Sequence, residues 1–137
     1  MFLKRLLDII SSLCGIVFLI PIFCLISIII VILSGFPVFF TQNRIGKKGA
    51  LYSIIKFRTM VNGANQLPGG SITTKSDNRI TPIGKFLRRW KLDELPTLWN
   101  VLKGDMSLVG PRPDVPGYAD KLKGKDRRIL ELRPGIT

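Results

Sequence analysis

Apolar positions dominate the first quarter of the chain, where residues 9–33 form 25 consecutive positions without a charge. As one helix this run would be ~37 Å long, against ~30 Å of bilayer hydrocarbon. A cleaved signal peptide fits poorly, because its apolar core is about 7 to 15 residues and is followed by a small-residue cleavage site. The pattern therefore predicts a helix that enters a membrane.

A proline divides this apolar run near its middle. Pro21 lacks an N–H and its ring clashes with the carbonyl of Val17, so a kink or break is predicted there. Each arm of about 12 residues would reach ~18 Å, enough to enter one leaflet and return. Basic residues flank both ends, Lys4 and Arg5 before the run and Lys47 among those after it. This favours a hairpin with both ends in the cytosol, and an ordinary kinked spanning helix stays open.

Beyond Gly35 the pattern changes to short alternating and apolar segments. The alternation from Val38 to Gln42, the Gly-flanked turn IGKKGA and the run LYSIIKFRTM predict a β-hairpin. The segment VNGANQLPGGSITTKSDN has no periodicity and is predicted to be a loop, with a lid as one function for it. Thr81 and Pro82 then read as an N-cap and first helical position of a basic amphipathic helix, IGKFLRRWKL. That helix suits a membrane interface or the domain's own core equally well.

The stretch KLDELPTLWN places two acids side by side in a strongly basic neighbourhood. Asp93 is a good N-cap for a helix that Gly104 would end, and this structural account needs no function. The alternative is chemical. The nearby cations would keep Asp93 and Glu94 ionised, ready to meet a phosphate or a divalent metal; they are Arg79, Lys85, Arg88, Arg89 and Lys91.

Other basic residues are candidates for phosphate binding. Period two puts Lys56 and Arg58 on one face of the second strand, where they could hold phosphate or form a solvated face. Arg112 lies between two prolines, which reduces the entropy lost on binding an oxyanion, although an ion pair with Asp105 is a second interpretation. Near the N-terminus, Asp8 is one turn from the basic pair there, so a local ion pair is predicted.

Composition limits the remaining chemistry. The 137 residues carry a formal charge of +12 at pH 7, contain no histidine, and hold two cysteines, Cys14 and Cys24, inside the apolar run. The sequence therefore lacks the residues that a zinc site, a histidine-based catalytic triad or a disulfide framework requires. Nucleic-acid binding is disfavoured, because Asp126 and Glu131 interrupt the basic segment KLKGKDRRILELR and no aromatic residue there could stack on a base. A solvated helix is the plainer interpretation of that segment.

Together these segments resemble the monotopic phosphoglycosyl transferases, the bacterial sugar transferase family. The resemblance covers nearly the whole chain through KRLLDI, the apolar run with its central proline, FTQNRIGKKG, IKFRTM and RPGIT. It is most specific in RITPIGKFLRRWKLDELPTLWNVLKGDMSLVGPRP. The implied fold is α/β: a re-entrant helix-break-helix in residues 1–36, and a catalytic domain in residues 37–137 with a small antiparallel sheet and amphipathic interfacial helices. The implied location is the cytoplasmic face of the bacterial inner membrane.

The resemblance also implies a reaction and its residues. Asp93 would be the nucleophile that attacks the β-phosphorus of a nucleotide diphosphate sugar, releases the nucleoside monophosphate and carries a covalent phosphosugar. Polyprenol phosphate would then accept the phosphosugar. Glu94 would bind the Mg²⁺ that holds the diphosphate. Cations would shield the phosphates in both steps; the candidates are Arg88, Arg112, Lys56, Arg58 and Arg133.

Three departures from the family pattern qualify these expectations. Ile20 stands where the family usually has Ser before the membrane proline, and Thr97 stands where it usually has Gln. The family pattern also continues beyond RPGIT, where this chain reaches Thr137, so the chain is expected to lack a C-terminal part. An inactive membrane-anchored remnant or an interaction protein, pairing with a second copy as a homo-oligomer, stays open as the alternative. The sugar, the nucleotide and the carrier length are not encoded in any motif identified.

Overall fold

The computed structural model describes residues 2–67, 77–117 and 124–137. A long helix α1 (Phe2–Ser34) leads into two strands, β1 (Phe39–Ile45) and β2 (Leu51–Phe57). Two short helices follow, α2 (Pro82–Arg89) and α3 (Thr97–Lys103), with 3-10 helices at Leu92–Glu94 and Gly124–Glu131. Helices around a small two-stranded antiparallel sheet confirm the predicted α/β class.

Helix α1 continues through Pro21, and this corrects the predicted break. A proline inside a helix removes one backbone hydrogen bond and clashes with the preceding turn, at a cost of ~3 kcal/mol or more. Here the helix is packed on the rest of the chain both before and after Pro21, at Ser12 and at Ile26, so tertiary contacts oppose that local cost. The two arms therefore belong to one continuous helix.

One stripe of α1 faces the rest of the protein along its whole length. The buried positions Asp8, Ser12, Ile26 and Ile30 fit a helical period of three to four residues, so they lie on one side. Most of the other positions expose large apolar side chains, including Phe18, which is 82% exposed. In the described part of the chain, α1 is the one helix long and apolar enough to cross a membrane. Its outer surface is therefore suited to lipid and its inner stripe to the domain.

The beginning of α1 is tied to the segment around α3. Arg5 donates to the carbonyl oxygens of Val101 at 2.6 Å and Leu102 at 2.9 Å. The buried carboxylate of Asp8 accepts hydrogen bonds from Ser107 Oγ at 2.8 Å and from the Leu108 N–H at 3.1 Å. The predicted local ion pair of Asp8 is therefore wrong, because these partners about a hundred residues away compete successfully for its oxygens.

The end of α1 is tied to the exit of β2. The buried side chain of Arg58 donates to the carbonyl oxygens of Ser34 and Gly35, both at 2.6 Å, and of Phe36 at 2.9 Å. Carbonyls at a helix C-terminus lack partners within the helix, so a guanidinium supplies what they need. Below this contact, the main core joins α1 to the hairpin and to α2 through Ile26, Ile30, Phe57 and Leu87.

The hairpin forms as predicted, with Phe39 opposite Phe57 and Ile45 opposite Leu51. Its outer edge is completed by a side chain of α3. Asn100 is fully buried, donates from Nδ2 to the Ser53 carbonyl at 2.8 Å, and accepts from the Ile55 N–H at 3.0 Å. The amide thus takes the place of a neighbouring strand and holds α3 beside β2.

Helix α2 begins where the sequence predicts. Thr81 caps it by accepting a hydrogen bond from the Gly84 N–H at 3.0 Å, and Pro82 is the first helical residue. Leu87 is buried, whereas Phe86 and Trp90 are exposed, so the helix packs on the core and also presents apolar surface outward. A Cβ on Gly84 would lie 2.0 Å from the Thr59 carbonyl oxygen, which explains how closely α2 approaches the exit of β2.

The RPGIT motif docks on the loop that follows α3. Ser107 N–H donates to the Pro134 carbonyl, Ile136 N–H donates to the Ser107 carbonyl, and Gly135 N–H donates to the Pro111 carbonyl at 2.8 Å. A Cβ on Gly135 would lie 2.1 Å from the Gly110 nitrogen. These contacts fix the loop around Pro111 and hold the RPGIT motif beside α3.

Two predicted segments lie only partly within the described residues. In the predicted loop from Val61, a 3-10 helix spans Ala64–Gln66, and residues 68–76 lie outside the described part. The predicted solvated helix is observed as the 3-10 helix Gly124–Glu131, with residues 121–123 outside it.

Candidate active site

The acidic pair lies on the connection between α2 and α3. Lys91 adopts a left-handed conformation with φ of 57°, which turns the chain after α2 into the 3-10 helix that carries Asp93 and Glu94. Helix α3 begins only at Thr97, with Pro96 at its N-cap position and no side-chain cap. The prediction that Asp93 caps this helix is therefore wrong, because the 3-10 turn and Pro96 separate it from the helix start. The side chain of Asp93 therefore does not cap α3.

Glu94 forms an ion pair with a strand residue. Lys56 Nζ lies 2.7 Å from Glu94 Oε1, and both side chains are about three-quarters buried. Burial pushes the pKa of Glu94 upward, but the hydrogen bond and charge of Lys56, helped by Lys91 and Arg112, outweigh it and lower that pKa. Glu94 is thus held ionised, as the sequence predicts.

Asp93 behaves in the opposite way. Its Oδ1 atom is buried and has no hydrogen-bond partner among the described residues. Burial, followed by the neighbouring charge of Glu94, raises the pKa of Asp93 even though Lys56 and Arg88 act to lower it. The basic neighbourhood therefore outweighs burial at Glu94 but not at Asp93. A carboxylate oxygen that is desolvated and unpartnered is well suited to attack an electrophile.

A cleft of about 430 Å³ opens beside this pair. Its lining combines four cations with one carboxylate: Arg44, Lys56, Lys91, Arg112 and Glu94. Its floor is apolar, formed by side chains that include Ile54, Leu98 and Met106. A net positive, half-enclosed cleft of this kind suits a ligand that carries several negative charges.

The structure divides the predicted phosphate-binding residues into three groups. Lys56 and Arg112 line the cleft. Arg88 lies close enough to Asp93 to influence its charge, donates from Nε to Thr59 Oγ1 at 2.8 Å, and lines a separate, smaller cavity of about 180 Å³. Arg58 lines the same smaller cavity as Arg88 and also donates to the end of α1, while Arg133 lies elsewhere and donates from Nε to the Gly104 carbonyl at 2.9 Å. Their contacts give both residues structural partners away from the cleft.

The second interpretation of Arg112, an ion pair with Asp105, does not hold. Asp105 lies 3.4 Å from Lys103 Nζ instead, while Arg112 faces the cleft. Two cleft cations, Arg44 and Lys91, were not singled out as phosphate ligands from the sequence. Arg44 carried a usable signal, because period two places it on the same half-buried face of β1 as Phe40 and Gln42.

The residues present fit Mg²⁺ only together with a substrate. Among the described residues no cluster of three metal-ligating side chains occurs. Mg²⁺ is usually held by one or two carboxylates plus substrate phosphates, with water completing the shell. Glu94 supplies one carboxylate for a site of that kind, so a diphosphate in the cleft and water would have to provide the remaining oxygens.

We expect Lys56 to influence the acid limb of the pH–rate profile, the pH range in which any reaction at Asp93 slows as Asp93 becomes protonated. Since Lys56 lowers the pKa of Asp93, the Lys56→Met variant should raise that pKa further, so the ionised fraction and the reaction rate should fall at a higher pH than in the wild type. Single-turnover rates measured between pH 5 and pH 8 would locate this limb. An acid limb at the same or lower pH would contradict the electrostatic coupling.

The structure combines a helix that is long and apolar enough to cross a membrane with a cationic cleft beside an acidic pair, and comparison with known proteins specifies the family. A sequence profile described as "Bacterial sugar transferase" matches residues 1–137, and the chain belongs to that family. A relative in Bacillus subtilis, a putative undecaprenyl-phosphate N-acetylgalactosaminyl 1-phosphate transferase, is 41% identical over 138 residues, 93% of this chain and 76% of the relative.

Two further relatives are longer proteins. A UDP-N-acetylgalactosamine-undecaprenyl-phosphate N-acetylgalactosaminephosphotransferase of Aeromonas hydrophila is 39% identical over 142 residues, 99% of this chain and 33% of the relative. An undecaprenyl-phosphate galactose phosphotransferase of Salmonella typhimurium is 35% identical over 150 residues, 99% of this chain and 31% of the relative. The chain thus spans about a third of the length of these two relatives.

Proposed function

We propose that this protein transfers a sugar phosphate from a nucleotide diphosphate sugar to a polyprenol phosphate. The observation that carries the proposal is a buried Asp93 oxygen without a partner among the described residues, directly before Glu94, which lines a cleft together with four cations. Relatives named as undecaprenyl-phosphate sugar phosphotransferases support the acceptor, and the UDP-sugar in the name of the Aeromonas relative supports the donor.

In the first step, Asp93 attacks the β-phosphorus of the donor. The bond from that phosphorus to the bridging oxygen breaks, and the nucleoside monophosphate leaves with the bonding electrons. The phosphosugar remains on Asp93 as an acyl phosphate, which divides one difficult transfer into two easier ones. Burial supports this role, since a poorly solvated carboxylate loses little hydration when it reacts.

The surrounding residues make the approach of two anions feasible. Glu94, kept ionised by Lys56, would hold a Mg²⁺ together with the diphosphate. When bound, the metal supplies charge neutralisation and orientation for the transferring phosphoryl group. Lys56, Lys91 and Arg112 face the same cleft and bind the phosphate oxygens, so positioning and electrostatics carry most of the catalysis.

We further propose that the protein enters one leaflet from the cytoplasmic face without crossing the membrane. Both ends of α1 contact the same domain, Arg5 and Asp8 at its beginning and the carbonyls of Ser34 and Gly35 at its end. A helix whose two ends both contact one domain cannot place those ends on opposite sides of the bilayer. Exposed Phe86, Trp90 and Trp99 provide an aromatic fringe of the kind found at membrane interfaces.

Cysteine labelling tests this topology. With Cys14 and Cys24 replaced by Ser, single cysteines introduced at Lys4 and at Lys47 should both react with a membrane-impermeant maleimide only after the cell membrane is opened to the cytosol. The first position lies on α1 and the second on the turn after β1. Labelling of Lys4→Cys from the outside and Lys47→Cys from the inside would establish a spanning helix.

The mass of the intact protein tests the proposed reaction. After incubation with Mg²⁺ and a panel of UDP-sugars, the chain should gain the mass of one phosphosugar, release UMP, and lose the added mass when undecaprenyl phosphate is supplied. Omission of Mg²⁺ should suppress the gain. A protein that gains no mass with any donor, and that releases no UMP, would contradict the proposed function and favour an inactive relative that keeps the fold.

A further inference from the structure

Two guanidinium groups share the cleft without a counter-ion. Arg44 and Arg112 both line it, and in the part of the chain that the structure describes no carboxylate lies within ion-pair distance of either. Burial is the largest effect on the pKa of Arg44 and lowers it; the charge of Arg112 also lowers it, whereas Tyr52, Asp114 and Glu94 act to raise it. Two cations held in one cleft favour the binding of an anion between them.

Arg44 is fixed in place, so its position is not that of a solvated surface side chain. Its Nη1 donates to the Pro113 carbonyl at 3.2 Å and its Nη2 donates to Gln42 Oε1 at 2.8 Å, while its buried Nε has no partner within the described ranges. Tyr52 lies opposite Arg44 in the hairpin, and burial raises its pKa to about 12, so its hydroxyl stays neutral. The charge of Arg44 is therefore oriented but not neutralised.

The two guanidiniums lie away from the acidic pair along the cleft. On β2, Tyr52, the partner of Arg44, is four residues before Lys56, which corresponds to about 13 Å along a strand. Lys56 is bonded to Glu94, and both line the same cleft as Arg44 and Arg112. A diphosphate bound with its β-phosphorus toward the acidic pair can therefore direct its α-phosphate and nucleoside toward Arg44 and Arg112.

We propose that Arg44, together with Arg112, binds the phosphate that departs with the nucleoside. This inference rests on the proposed function. When Asp93 attacks the β-phosphorus, the electron pair of the broken bond stays on the bridging oxygen, which leaves as part of the α-phosphate. Negative charge therefore grows at that phosphate without any proton transfer, and two fixed guanidiniums there stabilise it. Arg44 is thus a leaving-group residue in addition to the residues at the acidic pair.

Binding of UMP and of uridine tests this role without turnover. By calorimetry on the detergent-solubilised chain, Arg44→Gln should weaken UMP binding by about 10- to 100-fold and leave uridine binding unchanged, because only the phosphate contact is lost. Lys47→Gln removes the same charge from the hairpin turn, outside the cleft, and should bind UMP like the wild type. Arg44→Lys keeps the charge but loses the planar, two-pronged donor geometry of the guanidinium. Its affinity for UMP should therefore lie between that of Arg44→Gln and that of the wild type.

The outcomes separate this inference from the proposed function. Equal UMP affinity in the wild type and in Arg44→Gln, with both proteins folded by thermal melting, overturns the role of Arg44 even where the wild type forms its phosphosugar adduct. An Arg44-dependent UMP affinity in a wild type that forms no adduct overturns the leaving-group role and the proposed reaction together. A slower adduct rate in Arg44→Gln, with more UMP needed to reverse the adduct, supports the inference.

Discussion

Replacement of Asp93 by Asn is expected to abolish the phosphosugar adduct and to reduce turnover by at least about 10⁴-fold, as loss of a covalent nucleophile does in other enzymes. An amide cannot form the acyl phosphate that divides the transfer into two steps. Intact mass after incubation with a UDP-sugar and Mg²⁺ reports the adduct, and released UMP reports turnover. An adduct on Asp93→Asn would place the nucleophile elsewhere.

The same substitution should not destabilise the protein. Burial raises the pKa of Asp93, so the folded state favours the protonated form and the ionised form costs stability once the pH exceeds the pKa in the unfolded chain. Asn is neutral at every pH and removes that cost, so the melting temperature at neutral pH should stay equal or rise. The control Asp105→Asn alters an acid that lies near Lys103, and should keep both adduct and turnover.

Local signals predicted the elements that are built from adjacent residues. The hairpin follows from alternation around a Gly-flanked turn, and the start of α2 follows from Thr81 and Pro82, because a cap needs only the next three residues. Both features were confirmed because their partners lie close together in the sequence. The adjacent Asp93 and Glu94 predicted the acidic site, and its function stays a prediction.

Features that depend on distant partners were predicted incorrectly. Pro21 reads locally as a helix break, yet packing of α1 on the domain keeps the helix continuous. Asp8 reads as the partner of nearby cations, yet it bonds to Ser107 and Leu108. The raised pKa of Asp93 arises from burial, which the number of neighbouring cations in the sequence does not reveal. These features depend on tertiary contacts between distant residues, which a single sequence does not reveal.

Lys56 and Arg58 show this limit most clearly, because period two makes them equivalent. Strand β2 ends at Phe57, so Arg58 lies beyond the strand and does not follow its period-two alternation. Arg58 donates to the end of α1, whereas Lys56 pairs with Glu94. One residue is therefore a structural support and the other part of the site. The two can be separated by experiment, since both are basic and both can be replaced by Met with little change in length.

Arg58→Met is expected to destabilise the protein by about 2–5 kcal/mol, since it leaves the carbonyls of Ser34 and Gly35 without their side-chain donor and removes one of two donors to Phe36. The melting temperature in detergent should fall by roughly 10 °C or more. Lys56→Met removes a partly exposed ion pair worth about 1 kcal/mol or less, so its melting temperature should change little while adduct formation slows severely. If Arg58→Met melted normally but lost the adduct, Arg58 would belong to the phosphate site after all, because its hydrogen bonds to α1 would then contribute nothing to folding.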